Sequence, residues 1–169
     1  MGLPGTVAAA PLAVFGWGNP GRGDDALGPR LLARVEAWAE ARPDARLEAF
    51  ADFQLQIEHV EDLRGRGLAL FLDASVTAPA PFAFREVRPS PDASFTSHAL
   101  SPEALLHAYR RATGLPPPPA FVLAVRGERF ELGEDLGPAA ERNLEAAWRF
   151  LQGLLAEPDP DRWRRLLDA

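Results

Sequence analysis

Residues 12–28 run Leu-Ala-Val-Phe-Gly-Trp-Gly-Asn-Pro-Gly-Arg-Gly-Asp-Asp-Ala-Leu-Gly, and they restrict the fold more than any other stretch. The apolar run Leu12, Ala13, Val14, Phe15 is continuous rather than alternating, the pattern of a short buried strand. It breaks into a loop holding Gly16, Gly18, Asn19, Pro20, Gly21 and Gly23. Glycine at that density admits positive φ and close approach of another group. The loop ends in two adjacent carboxylates, Asp24 and Asp25, just before helical spacing resumes. Strand, glycine loop, acid pair and helix together place charge at the C-terminal edge of a sheet, where open α/β folds keep their ligand sites.

Gly16-Trp17-Gly18-Asn19-Pro20-Gly21 formally matches G-x-G-x-x-G. A dinucleotide site needs a helix opening inside the glycines, with pyrophosphate on its N-terminus. Here Pro20 and two aspartates intervene, and clustered carboxylates repel a diphosphate. The ribose-binding acid expected about 20 residues on is also misplaced, since Asp52 lies 31 residues after Gly21. A structural alternative is that Asp24 caps a helix. It leaves the second carboxylate unexplained.

The rest of the chain alternates strands and helices. Leu27, Leu31, Leu32, Val35 and Trp38 recur at helical spacing to about Ala41, and Pro29 is tolerable only in the first turn. Residues 46–52 read as a second strand and residues 54–63 as a short helix. Residues 68–72 form an uninterrupted apolar run, the pattern of a central parallel strand, ending in Asp73. Residues 82–87 alternate like a half-buried strand. Ser101-Pro102-Glu103 opens a helix as N-cap, first-position proline and first-turn acid. Residues 120–125 are the last strand and 138–155 the last long helix. Residues 157–169 form a short amphipathic tail. The expected architecture is a single α/β domain over 1–169, with its core in 12–155 and a mostly parallel sheet covered by helices on both faces.

Composition narrows the chemistry. The sequence has 169 residues and no cysteine, which removes disulfides, thiolate ligands and a cysteine nucleophile. A net charge of −6 argues against a nucleic-acid partner, because phosphate contacts need a basic face. All 18 basic residues are arginine, so lysine chemistry is excluded. No signal-peptide pattern and no long apolar run occurs, so the expectation is a cytoplasmic protein with no membrane partner; a monomer is expected as well.

Three loops carry the candidate chemistry. Asp24-Asp25 follows the first strand, Asp73 the third, and His98 precedes the helix opened by Ser101. Loops leaving parallel strands gather on one edge, so Asp25, Asp73 and His98 can converge. Two carboxylates and an imidazole suit a divalent transition ion, with geometry choosing among nickel, zinc, iron and manganese. The plainer alternatives are a strand-end aspartate acting as a cap and a loop histidine that is merely exposed. His59 and His107 fall inside helices and are taken as structural or surface groups. No serine stands in a protease pattern: Ser97 beside His98 and Ser75 near Asp73 are sequence neighbours, which seldom form a dyad.

Gly18-Asn19-Pro20-Gly21 resembles the opening of the peptidyl-tRNA hydrolases, but the following segment that supplies their catalytic histidine is absent. The fuller resemblance is to the hydrogenase maturation endopeptidases. It rests on Gly16-Trp17-Gly18-Asn19 with Asp24-Asp25-Ala26-Leu27-Gly28, on Phe71-Leu72-Asp73-Ala74, and on Thr96-Ser97-His98-Ala99-Leu100-Ser101-Pro102. Gln54-Leu55 and Glu58 are similar to a subgroup serving cytoplasmic hydrogenases. The family often has glutamate at the position of Asp25 and glycine at that of Ala26; the shorter acid draws a site inward by about one bond. The resemblance implies removal of a C-terminal extension from the large-subunit precursor of a nickel-iron hydrogenase after nickel insertion. It implies that Asp25, Asp73 and His98 contact nickel carried by that precursor. A metal-polarised carbonyl needs no side-chain nucleophile. Alternatively nickel only positions the precursor, and a carboxylate such as Asp25 activates water. The rival readings are a peptidyl-tRNA-hydrolase-like enzyme and a non-catalytic nucleotide- or metal-binding domain.

Overall fold

The computed structural model describes residues 10–91 and 100–167. Its strands are β1 (Leu12–Trp17), β2 (Leu47–Asp52), β3 (Leu68–Ser75), β4 (Phe82–Val87) and β5 (Ala120–Arg126). They form one sheet in the order β2-β1-β3-β5-β4. β2, β1, β3 and β5 are parallel, and β4 joins β5 antiparallel as an edge.

The pleat divides the apolar residues between two cores, because alternate side chains point to opposite faces. Leu12 and Val14 of β1, with Leu68, Leu70 and Leu72 of β3, face one core. That core is closed by α1 (Leu27–Glu40), α3 (Pro138–Ala156) and α4 (Pro160–Arg165). Ala13, Phe15, Ala69 and Phe71 face the other core. There the covers are a 3-10 helix, Ile57–Leu63, and α2 (Pro102–Thr113). Strands β1 and β3 are therefore buried on both sides, as their unbroken apolar runs require. The α/β architecture with helices on both faces agrees with the sequence.

Three details differ from expectation. β3 does not stop before Asp73: its pairing with β5 continues through Asp73↔Ala124 to Ser75↔Arg126, beyond the last β1–β3 pair at Gly16↔Leu72. The helix expected over 54–63 is a 3-10 helix beginning at Ile57, fastened by a reciprocal cap in which the Gln56 N–H donates to His59 Nδ1 at 2.9 Å. The C-terminal tail contributes to the core, since Trp163 of α4 is wholly buried and its indole N–H donates to the carbonyls of Leu154 and Glu157 at 3.2 and 3.0 Å.

Candidate active site

β1 sends the chain to β2 on one side of the sheet, and the chain then crosses back to β3 on the other. The gap beyond the ends of β1 and β3 is thus a topological switch point, the usual ligand crevice of open α/β sheets. Asp25 and Asp73 stand at this gap.

The loop after β1 owes its shape to hydrogen bonds rather than to apolar packing. Between Gly18 and Ala26 the buried side chain is that of Asp24. It caps neither the 3-10 turn Gly23–Ala26 nor α1. Its carboxylate instead accepts the backbone N–H groups of Glu128 (2.7 Å), Arg129 (3.0 Å) and Gly137 (2.9 Å). Burial alone would raise its pKa, but those three donors outweigh it and hold the carboxyl below the ordinary aspartate range. The loop between β5 and α3 is thereby stapled beside the glycine loop. Gly133 N–H to Gly21 O (2.7 Å) and Gly23 N–H to Glu134 O (2.9 Å) complete the attachment.

Asp25 points the other way. Its Oδ2 accepts the Asn19 N–H at 2.7 Å, which folds the loop back over the acid. Gly18 makes this turn possible: its φ is +143°, and a Cβ there would run into the Asp25 carbonyl. Every N–H from Gly18 to Asp25, Pro20 aside, is spent inside the protein. Those of Gly18, Asn19, Gly21 and Arg22 go to Asp52 O, Asp25 Oδ2, Asn19 Oδ1 and Asn19 O. Those of Gly23, Asp24 and Asp25 go to Glu134 O, Arg129 O and Arg22 O. No backbone donor of the loop is left for a diphosphate, which weighs against the dinucleotide reading.

Asp73 lies on the α2 side of β3, continuing the row Ala69, Phe71. Burial pushes its carboxyl up to about 7, the Ala74 N–H opposing. The charge of Asp25 raises it further, Arg85 lowers it and Glu103 raises it slightly. The structure thus brings Asp25 and Asp73 within electrostatic reach of each other. A carboxyl titrating near 7 beside a second carboxylate is the environment of an acid–base or cation-binding group. His98 and Ser97 lie outside the described residues. Among the described residues, no three His, Cys, Asp or Glu side chains form a group able to hold a metal ion. The Oγ of Ser75 serves a turn, accepting the N–H groups of Thr77 (3.2 Å) and Ala78 (3.0 Å).

Asp52 closes β2 at the same edge and was not among the residues expected to converge there. It accepts the Phe53 N–H at 2.7 Å, lies 3.4 Å from Gln56 Nε2, and sits 3.7 Å from His59 Nε2. Its sequence signal was the one that exposed Asp73, an aspartate closing a strand. His59 is buried and structural, as expected.

No family model matches the sequence, and no curated protein matches it. Solved structures do match. The hydrogenase maturating endopeptidase HybD from E. coli superposes with a TM-score of 0.65 at 25% identity, over 87% of this chain and 93% of that one. The chain has the fold of the hydrogenase maturation endopeptidases. The [NiFe] hydrogenase maturation protease HycI from Thermococcus kodakarensis KOD1 gives the same TM-score, 0.65, at 17% identity over 88% and 94% of the two chains. The hydrogenase 2 maturation peptidase from Thaumarchaeota archaeon SCGC_AB-539-E09 gives 0.59 at 21% identity over 85% and 97%. The likeness spans nearly the whole of each endopeptidase.

Proposed function

We propose that this chain is a hydrogenase maturation endopeptidase that removes the C-terminal extension of a large-subunit precursor carrying nickel. The observation that carries the reading is the convergence of Asp25 and Asp73 at the β1–β3 switch point, within the fold of the maturation endopeptidases. Nickel here belongs to the substrate. Two carboxylates that repel each other form a donor set a dication relieves, and His98 is the third ligand proposed from the sequence. Bound there, nickel would polarise the scissile carbonyl.

The chain's own residues do the rest. Asp25 is oriented by the Asn19 N–H, and Asp73 sits on the α2 face of the same gap. Either carboxylate can take a proton from the attacking water and return it to the leaving amine, a role that favours a pKa near the working pH. Burial holds Asp73 at about 7 in the metal-free site, and ligation to nickel would hold it ionised, the form that accepts a proton. Without cysteine, and with Ser75 committed to a turn, hydrolysis by water is the reaction the edge supports. Among the described residues no helix is long and apolar enough to cross a membrane.

The test is a processing assay by mass, using purified protein with a nickel-loaded precursor and with the same precursor lacking nickel. Cleavage of the loaded form alone supports the whole reading. Cleavage of both forms keeps the peptidase and removes nickel as trigger, and cleavage of neither overturns the proposal. Asp25→Asn, Asp73→Asn and His98→Ala should each lower the rate at least ~100-fold, the scale of lost acid–base catalysis. Wild-type rates in all three would move the site elsewhere.

A further inference from the structure

Among the described residues six large apolar side chains stand exposed: Phe53, Ile57, Val76, Leu115, Leu132 and Leu166. Four of them, Phe53, Ile57, Val76 and Leu132, sit on segments leaving the C-terminal ends of β2, β3 and β5. The edge that bears Asp25 and Asp73 is therefore also where the chain leaves most apolar side chains in water.

Phe53, 70% exposed, forms one wall of a pocket of about 240 Å³ whose other walls are Gly18, Pro20, Pro29, Ala51 and Asp52. The frame is stiff. Two prolines fix their own φ. The Gly18 N–H bonds Asp52 O at 3.2 Å, and the Asp52 carboxylate holds the Phe53 N–H at 2.7 Å. The pocket adjoins the acid pair through its Gly18 wall, which lies directly against Asp25. An engineered apolar cavity of about 150 Å³ holds benzene, so this pocket has room for a leucine- or methionine-sized side chain. The carboxylate of Asp52 on its wall disfavours an acidic one.

Position fixes which part of a bound chain reaches it. The pocket opens between the ends of β1 and β2, one strand spacing of about 4.8 Å from the β1–β3 gap. An extended peptide advances about 3.3 Å per residue. We infer that this pocket is a specificity subsite, filled by an apolar side chain of the precursor one or two residues from the scissile bond; the inference rests on the endopeptidase reading above.

Steady-state processing of the nickel-loaded precursor by Phe53→Ser, Phe53→Leu and Leu115→Ser variants tests it. Phe53 is exposed, so its replacement leaves the fold intact. Loss of one apolar contact should raise KM about ten-fold or more in Phe53→Ser, with kcat within about two-fold. Phe53→Leu should restore most of the affinity, and Leu115→Ser, on the turn after α2, should match wild type. In parallel, precursors with aspartate at each of the two positions either side of the scissile bond should show one position where KM rises and Phe53→Arg relieves the defect. An unchanged KM in Phe53→Ser, with wild-type protein active, overturns the subsite alone. Inactivity of the wild-type protein on every precursor overturns the endopeptidase reading and the subsite with it.

Discussion

Asp24 and Asp73 share one side chain and have different fates, decided by what each meets. Asp24 is buried against three amide donors and serves as a staple; Asp73 is pressed among apolar residues near a second carboxylate and titrates at about 7. The signs of their pH dependence are opposite. Asp24, depressed in the folded state, adds stability that is present above its unfolded pKa and is lost as pH falls through its folded value. Asp73, raised in the folded state, withdraws stability as pH climbs from the ordinary aspartate range through about 7. Asp73→Asn should therefore unfold at a higher temperature than wild type at pH 8, with the difference vanishing below about pH 4. Thermal melts at both pH values measure this. A variant that gains stability while losing processing identifies a residue kept for chemistry rather than for folding.

At the scale of elements, α1 is what carries the acid pair to the sheet. It crosses β1 closely at Gly28, where a Cβ would run into the Trp17 carbonyl and lie 3.1 Å from Leu72 O. Alanine favours a helix over glycine by about 1 kcal/mol, yet here the clash is with backbone, which cannot swing aside. Gly28→Ala should thus destabilise the protein, by about 1–3 kcal/mol as overpacking does, visible as a lower urea midpoint with unchanged slope. A rise in the midpoint would show that α1 docks more loosely than its glycine indicates. Helix and strand positions were legible from periodicity and caps, as with the Ser101 side chain accepting the Ala104 N–H at 3.1 Å. The end of β3 was not, because Asp73 to Ser75 are polar or small, and pairing with β5 rather than their own pattern keeps them extended.

The whole molecule closes through its last helix. Trp163 packs edge-on to Phe121 and Phe84, at ring centroids 5.3 and 6.2 Å apart, so α4 finishes the core on the α1–α3 face. Arg164 pairs with Glu86 of β4 at 2.9 Å and ties α4 to the antiparallel edge. Trp163→Ala should cost about 3–5 kcal/mol and lower the melting temperature, while the protein that remains folded keeps its kcat, since the acid pair lies at the strand ends. A fall in kcat at full folding would show that the tail reaches the site.

What the sequence determined by itself is local. Continuous apolar runs named the buried strands, 3.6-residue spacing named the helices, and the glycine loop with its acid pair marked the edge where chemistry belongs. The pairing of Asp25 with Asp73 followed from chain order and parallel topology, together with the family resemblance. Only the tertiary structure decided the rest, because those contacts join residues with no local signature. The donors that hold Asp24 lie 104, 105 and 113 positions away, and they are backbone groups that any residue type supplies. The burial that lifts Asp73, the pocket between Gly18 and Phe53, and the place of Trp163 in the core likewise arise only when distant segments meet.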